Sequence, residues 1–149
     1  MADTARIAAM SERYIEEGLA PSWPASRVAW HVRHPESVVL TARSEGNLAA
    51  FAIMQFGDDH AHLNLLAVHP AHRRRGLARG LLRWLEESAV VAGTFIIELE
   101  LRASNADAFA FYRALGYTES GRIEGYYQGV EAAIRMSRDL RIGHGAMQA

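Results

Sequence analysis

The chain has 149 residues, half of them hydrophobic, which is enough for one domain with a real core and too little for a second. Its formal charge is −1, and a nearly neutral chain is a poor general binder of nucleic acid, whose affinity comes from many phosphate contacts. There is no cysteine, so disulfides, thiolate metal sites and a cysteine nucleophile are excluded; no apolar stretch approaches a membrane span, and the opening Met1-Ala2-Asp3-Thr4 lacks a signal-peptide layout, which points to the cytoplasm.

The spacing predicts a helix over residues 4–19, with Ile7, Met10, Tyr14 and Ile15 towards the core and Gly18 at its end, before Pro21 and Pro24 break the chain. A second helix is expected over 25–34, then a strand over 37–42, a turn at Ser44-Glu45-Gly46-Asn47 and a return strand over 48–56. Gly57-Asp58-Asp59 leads into a strand over 62–68, completing an antiparallel meander. Leu77, Leu81, Trp84 and Leu85 recur at helical spacing in 77–91, which stops at Gly93. The Ile- and Leu-rich strand 95–101 follows this helical crossover and is expected parallel to the strand before it. A helix over 105–115 ends at Gly116, and strands over about 117–123 and 132–137 close a mixed α/β domain covering 1–141. The polar tail 142–149 is expected to be disordered.

Between the strand ending at Val68 and the helix opening at Leu77 lies an arginine-dense turn, with Arg73, Arg74 and Arg75 in it and Arg79 and Arg83 behind it. N–H groups in a helix's first turn lack intrahelical acceptors and carry the positive end of the macrodipole, so they attract anions. Gly76 and Ala78 leave room for a ligand to approach the backbone. An arginine cluster alone reads first as a solvated basic face; it is sized for one small polyanion, not a duplex. Neither the dinucleotide fingerprint G-x-G-x-x-G nor a P-loop is present.

Arg73-x-x-Gly76-x-Ala78, preceded by Val68-x-Pro70, resembles the Arg/Gln-x-x-Gly-x-Gly/Ala pattern with which GNAT acetyltransferases hold the coenzyme A pyrophosphate. The resemblance implies the GNAT acyl-CoA N-acyltransferase fold, a central mixed but mostly antiparallel sheet flanked by helices, and acetyl-CoA as co-substrate. That family usually begins with a strand, whereas this chain is helical from the start, so its first strand is expected to be missing or very short. The implied cofactor contacts run from the backbone of Leu66, Ala67 and Val68 through Arg73, Arg74, Arg75, Gly76, Leu77, Ala78 and Arg79.

Glu98 and Glu100 lie two apart in the 95–101 strand and share a sheet face. A carboxylate in so apolar a strand is costly unless solvated, paired with an arginine such as Arg102, or used in chemistry. Tyr112 falls in a helical stripe with Ala108, Phe111 and Leu115, which by itself reads as core packing. The series Glu100-Leu101-Arg102-Ala103-Ser104-Asn105, Tyr112, Leu115-Gly116-Tyr117 and Tyr126-Tyr127 is similar to the RimI-type ribosomal-protein alanine N-acetyltransferases. That resemblance implies Glu100 as general base, Tyr112 as general acid and cofactor contact, Asn105 on the pantetheine arm, and a backbone N–H near Val68 for the oxyanion. It also implies direct transfer in a ternary complex, without a covalent enzyme intermediate or a metal. The seven histidines read as surface residues, with no partners at metal-ligand spacing.

Tyr126 and Tyr127, with the Trp23-Pro24 turn opposite, are expected to bind the acceptor. The following Gln128-Gly129-Val130-Glu131 stretch is shorter than in RimI-type chains and has one acidic residue. The expected acceptor is the α-amino group of a protein N-terminus, such as that of a ribosomal protein. A small-molecule amine is the alternative, and a non-catalytic coenzyme A sensor a further one.

Overall fold

The strand 47–56 is apolar at almost every position and is buried on both faces, so layers must cover it from two sides. The computed structural model describes residues 2–142; the tail residues 143–149, for which disorder is expected, lie outside the described residues. Helix α1 (Ala2–Met10) runs into a π-helical turn (Ser11–Ile15), followed by α2 (Ala25–Arg33). Strands β1 (Ser37–Ser44), β2 (Asn47–Phe56) and β3 (His60–Val68) form the meander, and a 3₁₀ turn (Pro70–His72) leads to α3 (Leu77–Ala92). Then come β4 (Ile96–Arg102), α4 (Ala106–Ala114), β5 (Thr118–Tyr127) and β6 (Glu131–Asp139). The sheet order is β1-β2-β3-β4-β6-β5, antiparallel throughout except between β3 and β4, where α3 makes the expected crossover. No strand precedes α1 among the described residues, which leaves β1 as the sheet edge.

Each face of the sheet carries its own core. On one, Leu81, Leu82, Leu85 and Ala89 of α3 and Tyr112 of α4 pack on Ala50, Ala52 and Met54 of β2 and Ile97, Leu99 and Leu101 of β4. On the other, Ile7, Met10, Trp23 and Val28 pack on Phe51 and Ile53 of β2 and on Leu65 and Ala67 of β3. Trp84 is not part of the buried stripe: it is 49% exposed, because Leu82 takes the inward position on the α3 surface. The first helix also differs from a single run over 4–19, since the π turn shifts the helical phase after Met10. Tyr14 and Ile15 pack against the α1–α2 core as expected but are only partly buried, and they also border the cleft described below.

The alternation along β3 breaks at one residue. Ile53 pairs with Leu65 and Met54 with Leu63, so Asn64 is an extra residue without a partner on β2. Ala61 and Leu63 therefore face the α3 side, while Leu65 and Ala67 face α1 and α2. The pairing of β3 with β4 also stops here, at Leu63 opposite Leu99, and the two parallel strands part beyond it.

Glu86 of α3 ties the far side of the sheet together. Its Oε2 accepts from the buried Tyr117 hydroxyl at 2.9 Å and from Arg138 Nη1 of β6 at 3.1 Å. Tyr117→Phe removes one donor and is expected to cost about 1 kcal/mol, whereas Glu86→Ala strands a buried hydroxyl and a guanidinium and should cost about 3 kcal/mol. Urea unfolding of both variants checks the order; an equal or smaller loss for Glu86→Ala would mean the carboxylate holds nothing together.

Candidate functional site

Where β3 and β4 part, a cavity of about 1040 Å³ opens between them. One wall is Leu63–Val68 of β3, whose edge past Leu63 lacks a neighbouring strand; the opposite wall is Leu99–Arg102 of β4 with Ser104, Asn105, Ala108, Phe111 and Tyr112. Backbone N–H and C=O groups along such an edge are available to an amide-bearing ligand in the manner of an added strand.

The arginine turn closes one end. Gly76 is the N-cap of α3 with φ +76, a left-handed conformation natural to glycine, and it offers no side-chain cap. The first intrahelical bond runs from Gly80 N–H to Gly76 O, so the N–H groups of Leu77, Ala78 and Arg79 have no helical acceptor. Arg73, Arg74, Gly76, Leu77, Ala78 and Arg79 all border the cavity, as does His72; Arg75 is not among the lining residues, its Nη1 lying 3.3 Å from His72 Nδ1. The Arg73 guanidinium lies over Tyr14, 5.9 Å from the ring centroid. Phosphate oxygens fit this end, where helix dipole and guanidinium charge add.

Glu100 lies on the β4 wall, its side chain only 6% exposed. Its Oε1 meets His62 Nε2 at 2.6 Å and the Tyr126 hydroxyl at 3.3 Å, and its Oε2 accepts from Arg135 Nε at 2.9 Å. The ion pair with arginine expected for this strand is thus made by Arg135; Arg102 instead bonds Glu131 at 2.7 Å and the carbonyl of Glu17 at 2.5 Å. Burial pushes the Glu100 carboxyl up, but the hydrogen bonds and charges of His62 and Arg135 outweigh it and hold the group below the usual carboxylate range. The hydrogen bond that His62 donates to Glu100 conversely holds the imidazole above its ordinary range, against the pull of burial.

Tyr112 is buried at the cavity wall, edge-on to Phe111 and Tyr117, and burial pushes its phenol up, so it stays protonated as a hydrogen-bond donor. Asn105 Oδ1 caps α4 by accepting from Ala108 N–H at 3.0 Å, and its amide remains beside the cavity. Tyr127 borders the cavity and Tyr126 stands outside it, 44% exposed. Between Ile123 and Tyr127 the β5 pairing slips, with Gly125 at φ +66, and this irregularity brings the Tyr126 hydroxyl across to Glu100. Trp23 does not join the expected acceptor-binding set. Its large apolar ring is 8% exposed in the core beneath α2, with Arg27 stacked on it at 3.8 Å and His31 beside it.

Several contributing residues escaped the sequence reading. His62, expected at the surface, is partly exposed but bound to Glu100; alternation along β3 before the bulge sets it on the Glu98 and Glu100 side of the neighbouring strand. Asn64 Oδ1 is buried without a hydrogen-bond partner at the cavity wall. Glu16, buried, binds the backbone N–H and hydroxyl of Ser22 and thereby shapes the loop before α2. Gln128 staples that loop to the β5–β6 hairpin, accepting from Ala20 N–H at 2.9 Å and donating to Ala20 O at 2.6 Å. Glu131, held down to about 2 by Ser104 and then Arg102, fixes the other flank of the hairpin. Among the described residues no group of three or more histidine or carboxylate side chains is placed to hold a metal ion.

Comparison with known proteins gives a consistent result. Over 101 residues the chain is 43% identical to the [ribosomal protein bS18]-alanine N-acetyltransferase of Salmonella typhimurium, a match covering 66% of this chain and 68% of that enzyme. The corresponding Escherichia coli enzyme is also 43% identical, with 62% of this chain and 64% of the relative's length covered, so the chain spans just under two thirds of it. The crystal structure of the ribosomal-protein-S18-alanine N-acetyltransferase from Escherichia coli superimposes with a TM-score of 0.80 at 32% identity, covering 94% of this chain and 89% of that one. Residues 5–117 match the model of the acetyltransferase (GNAT) family. The chain belongs to that family and is an acetyl-CoA-dependent N-acetyltransferase.

Proposed function

We propose that this enzyme acetylates the free α-amino group of a protein N-terminus, a ribosomal protein being the first candidate, by direct attack in a ternary complex in the cytoplasm. The observation that carries this reading is a carboxylate, Glu100, held 6% exposed on one wall of a cavity whose other wall is an unpaired strand edge. The names of its relatives support the same acceptor class: ribosomal-protein alanine N-acetyltransferases, and the catalytic subunit naa20 of an N-terminal acetyltransferase B complex in Schizosaccharomyces pombe, 39% identical over 82 residues.

Acetyl-CoA supplies the acetyl thioester. Leu66, Ala67 and Val68 offer backbone groups to its amide-bearing arm and Asn105 a side-chain amide, while Arg73, Arg74, Arg79 and the N–H groups of the α3 N-terminus meet its pyrophosphate. Arg75, outside the lining but against His72 on its rim, adds positive charge beside it. An amine attacks only after losing its proton, and Glu100 is the group that accepts it, directly or through water. Tyr112, kept protonated by burial, donates to the departing sulfur. Tyr126 and Tyr127 line the acceptor's approach beside the hairpin, and Trp23 acts beneath that surface by holding the loop that Gln128 staples.

Thiol release from acetyl-CoA, measured with short peptides bearing free Ala, Ser, Met or Gly N-termini alongside polyamines, free amino acids and an internal-lysine peptide, should be confined to the free peptide N-termini. Turnover on small amines alone would move the enzyme to small-molecule chemistry, and none with any amine despite cofactor binding would make the fold a sensor. Glu100→Gln is expected to keep acetyl-CoA affinity and to lower kcat by about 10²-fold or more, the scale of general-base assistance; undiminished kcat would remove Glu100 as the base. Gly76→Asp sets a carboxylate beside the N–H groups meant for phosphate and adds local strain at a left-handed φ, so acetyl-CoA Kd, read by calorimetry on protein whose fold is checked by circular dichroism, should rise about tenfold or more. Unchanged Kd would place the pyrophosphate elsewhere.

A further inference from the structure

Three hydrogen bonds converge on the Glu100 carboxylate. Arg135 holds Oε2, and His62 and Tyr126 share Oε1. A proton that arrives there from an amine has to leave again before the next turnover, yet the Glu100 side chain is only 6% exposed. Its three partners are unequal as exits. Arginine does not release its proton in proteins, and the Tyr126 phenol, pushed up by burial and by Glu100 itself, already carries one. His62 is the remaining partner, joined at 2.6 Å through Nε2, and its side chain is 40% exposed.

We infer that His62 is a positioning and proton-relay residue that works through Glu100, carrying the amine's proton from the buried carboxylate to solvent. The inference rests on the reading of Glu100 as base. The amine N–H bond breaks as the proton passes to Oε1, directly or through water. At rest the neutral ring donates its Nε2–H to the carboxylate; once Glu100 is protonated, the half-exposed ring exchanges through water to the Nδ1–H tautomer, takes the proton from Oε1 on the freed Nε2 lone pair and loses the Nδ1 proton to water, which regenerates the carboxylate and restores the Nε2–H donor. Glu100 stays anionic between transfers, compensated on both sides by Arg135 and the imidazolium, so the costly state of a protonated acid beside an arginine is brief.

The relay requires neutral imidazole before each turnover. His62 is faced by Glu98 and Glu100 from β4, by the Glu100-bound Arg135 of β6 and Tyr126 of β5, and by Asn64 on its own strand; the carboxylates prevail and hold it above the ordinary imidazole range. Its contribution is therefore present above that raised value and lost as pH falls through it.

The test compares kcat for the wild type, His62→Gln and Glu100→Gln from about pH 6 to about pH 9 on one peptide substrate, with acetyl-CoA Kd as the check on folding. Glutamine keeps an N–H donor for Glu100 but accepts no proton, and the substrate's own titration cancels in the ratio of wild type to variant. That ratio should climb about tenfold or more with rising pH, with Kd unchanged. A ratio flat with pH, at any level, while Glu100→Gln stays deeply impaired, would overturn the relay and leave Glu100 as base. Wild-type rates in Glu100→Gln would instead remove the base, and the relay with it.

Discussion

One extra residue in β3 governs the molecule. Parallel strands β3 and β4 pair only through His60–Leu63 opposite 96–99, and the insertion of Asn64 coincides with the end of that ladder. Had the register continued, the β3 edge would be bonded to β4 and no cavity would open. The bulge also exchanges the faces of β3, so Leu65 and Ala67 seal the α1–α2 core while Leu66 and Val68 turn to the α3 side. A bulge disrupts local ladder bonds and bends its strand, and here the same bend supplies an unpaired backbone edge.

Charge is distributed along the cavity in a way that matches an anionic cofactor at one end and a cationic acceptor at the other. The α3 N-terminus contributes guanidinium groups and helix dipole with no carboxylate in its first turn. The opposite end holds Glu100, whose burial would be prohibitive without Arg135 and His62. The same contacts that make the carboxylate affordable also weaken it as a base, and this tension is what gives His62 its significance beside it.

Much of this was legible in the chain. The helical and strand periods around Leu81, Leu85 and Ile97, the crossover between β3 and β4, and the turn from Arg73 to Ala78 all follow from local spacing, which tertiary packing reinforced. What escaped depends on irregularity or on distance. A one-residue bulge leaves no mark in a run such as His62-Leu63-Asn64-Leu65-Leu66, and the π turn at Ser11–Ile15 is hidden inside a good helical pattern. His62 and Arg135 meet Glu100 from 38 and 35 positions away, and only the strand order β3-β4-β6 brings them together. Trp23 misled for a different reason: an aromatic near a proline turn fits a binding wall or a core equally well, and the apolar layer beneath α2 decided for the core.

The state of Glu100 bears on which amine the enzyme can use. A carboxylate held below its usual range is a reluctant proton acceptor, so the acceptor amine must yield its proton easily. An α-ammonium group and a lysine ammonium differ by about 2.5 pKa units, or about 3.4 kcal/mol, in the cost of reaching the neutral nucleophile. If Glu100 is the base, as proposed, its pairing with Arg135 suits it to the first far more than to the second. The loop shaped by Glu16 is stapled to the hairpin through Gln128 and Ala20, and on the proposed approach beside Tyr126 it would restrict the acceptor's shape. With Glu100 in the proposed role of base, proton affinity and access would select together for an amine at the end of a chain, so the arrangement that makes Glu100 tolerable in the sheet would also narrow the choice of substrate.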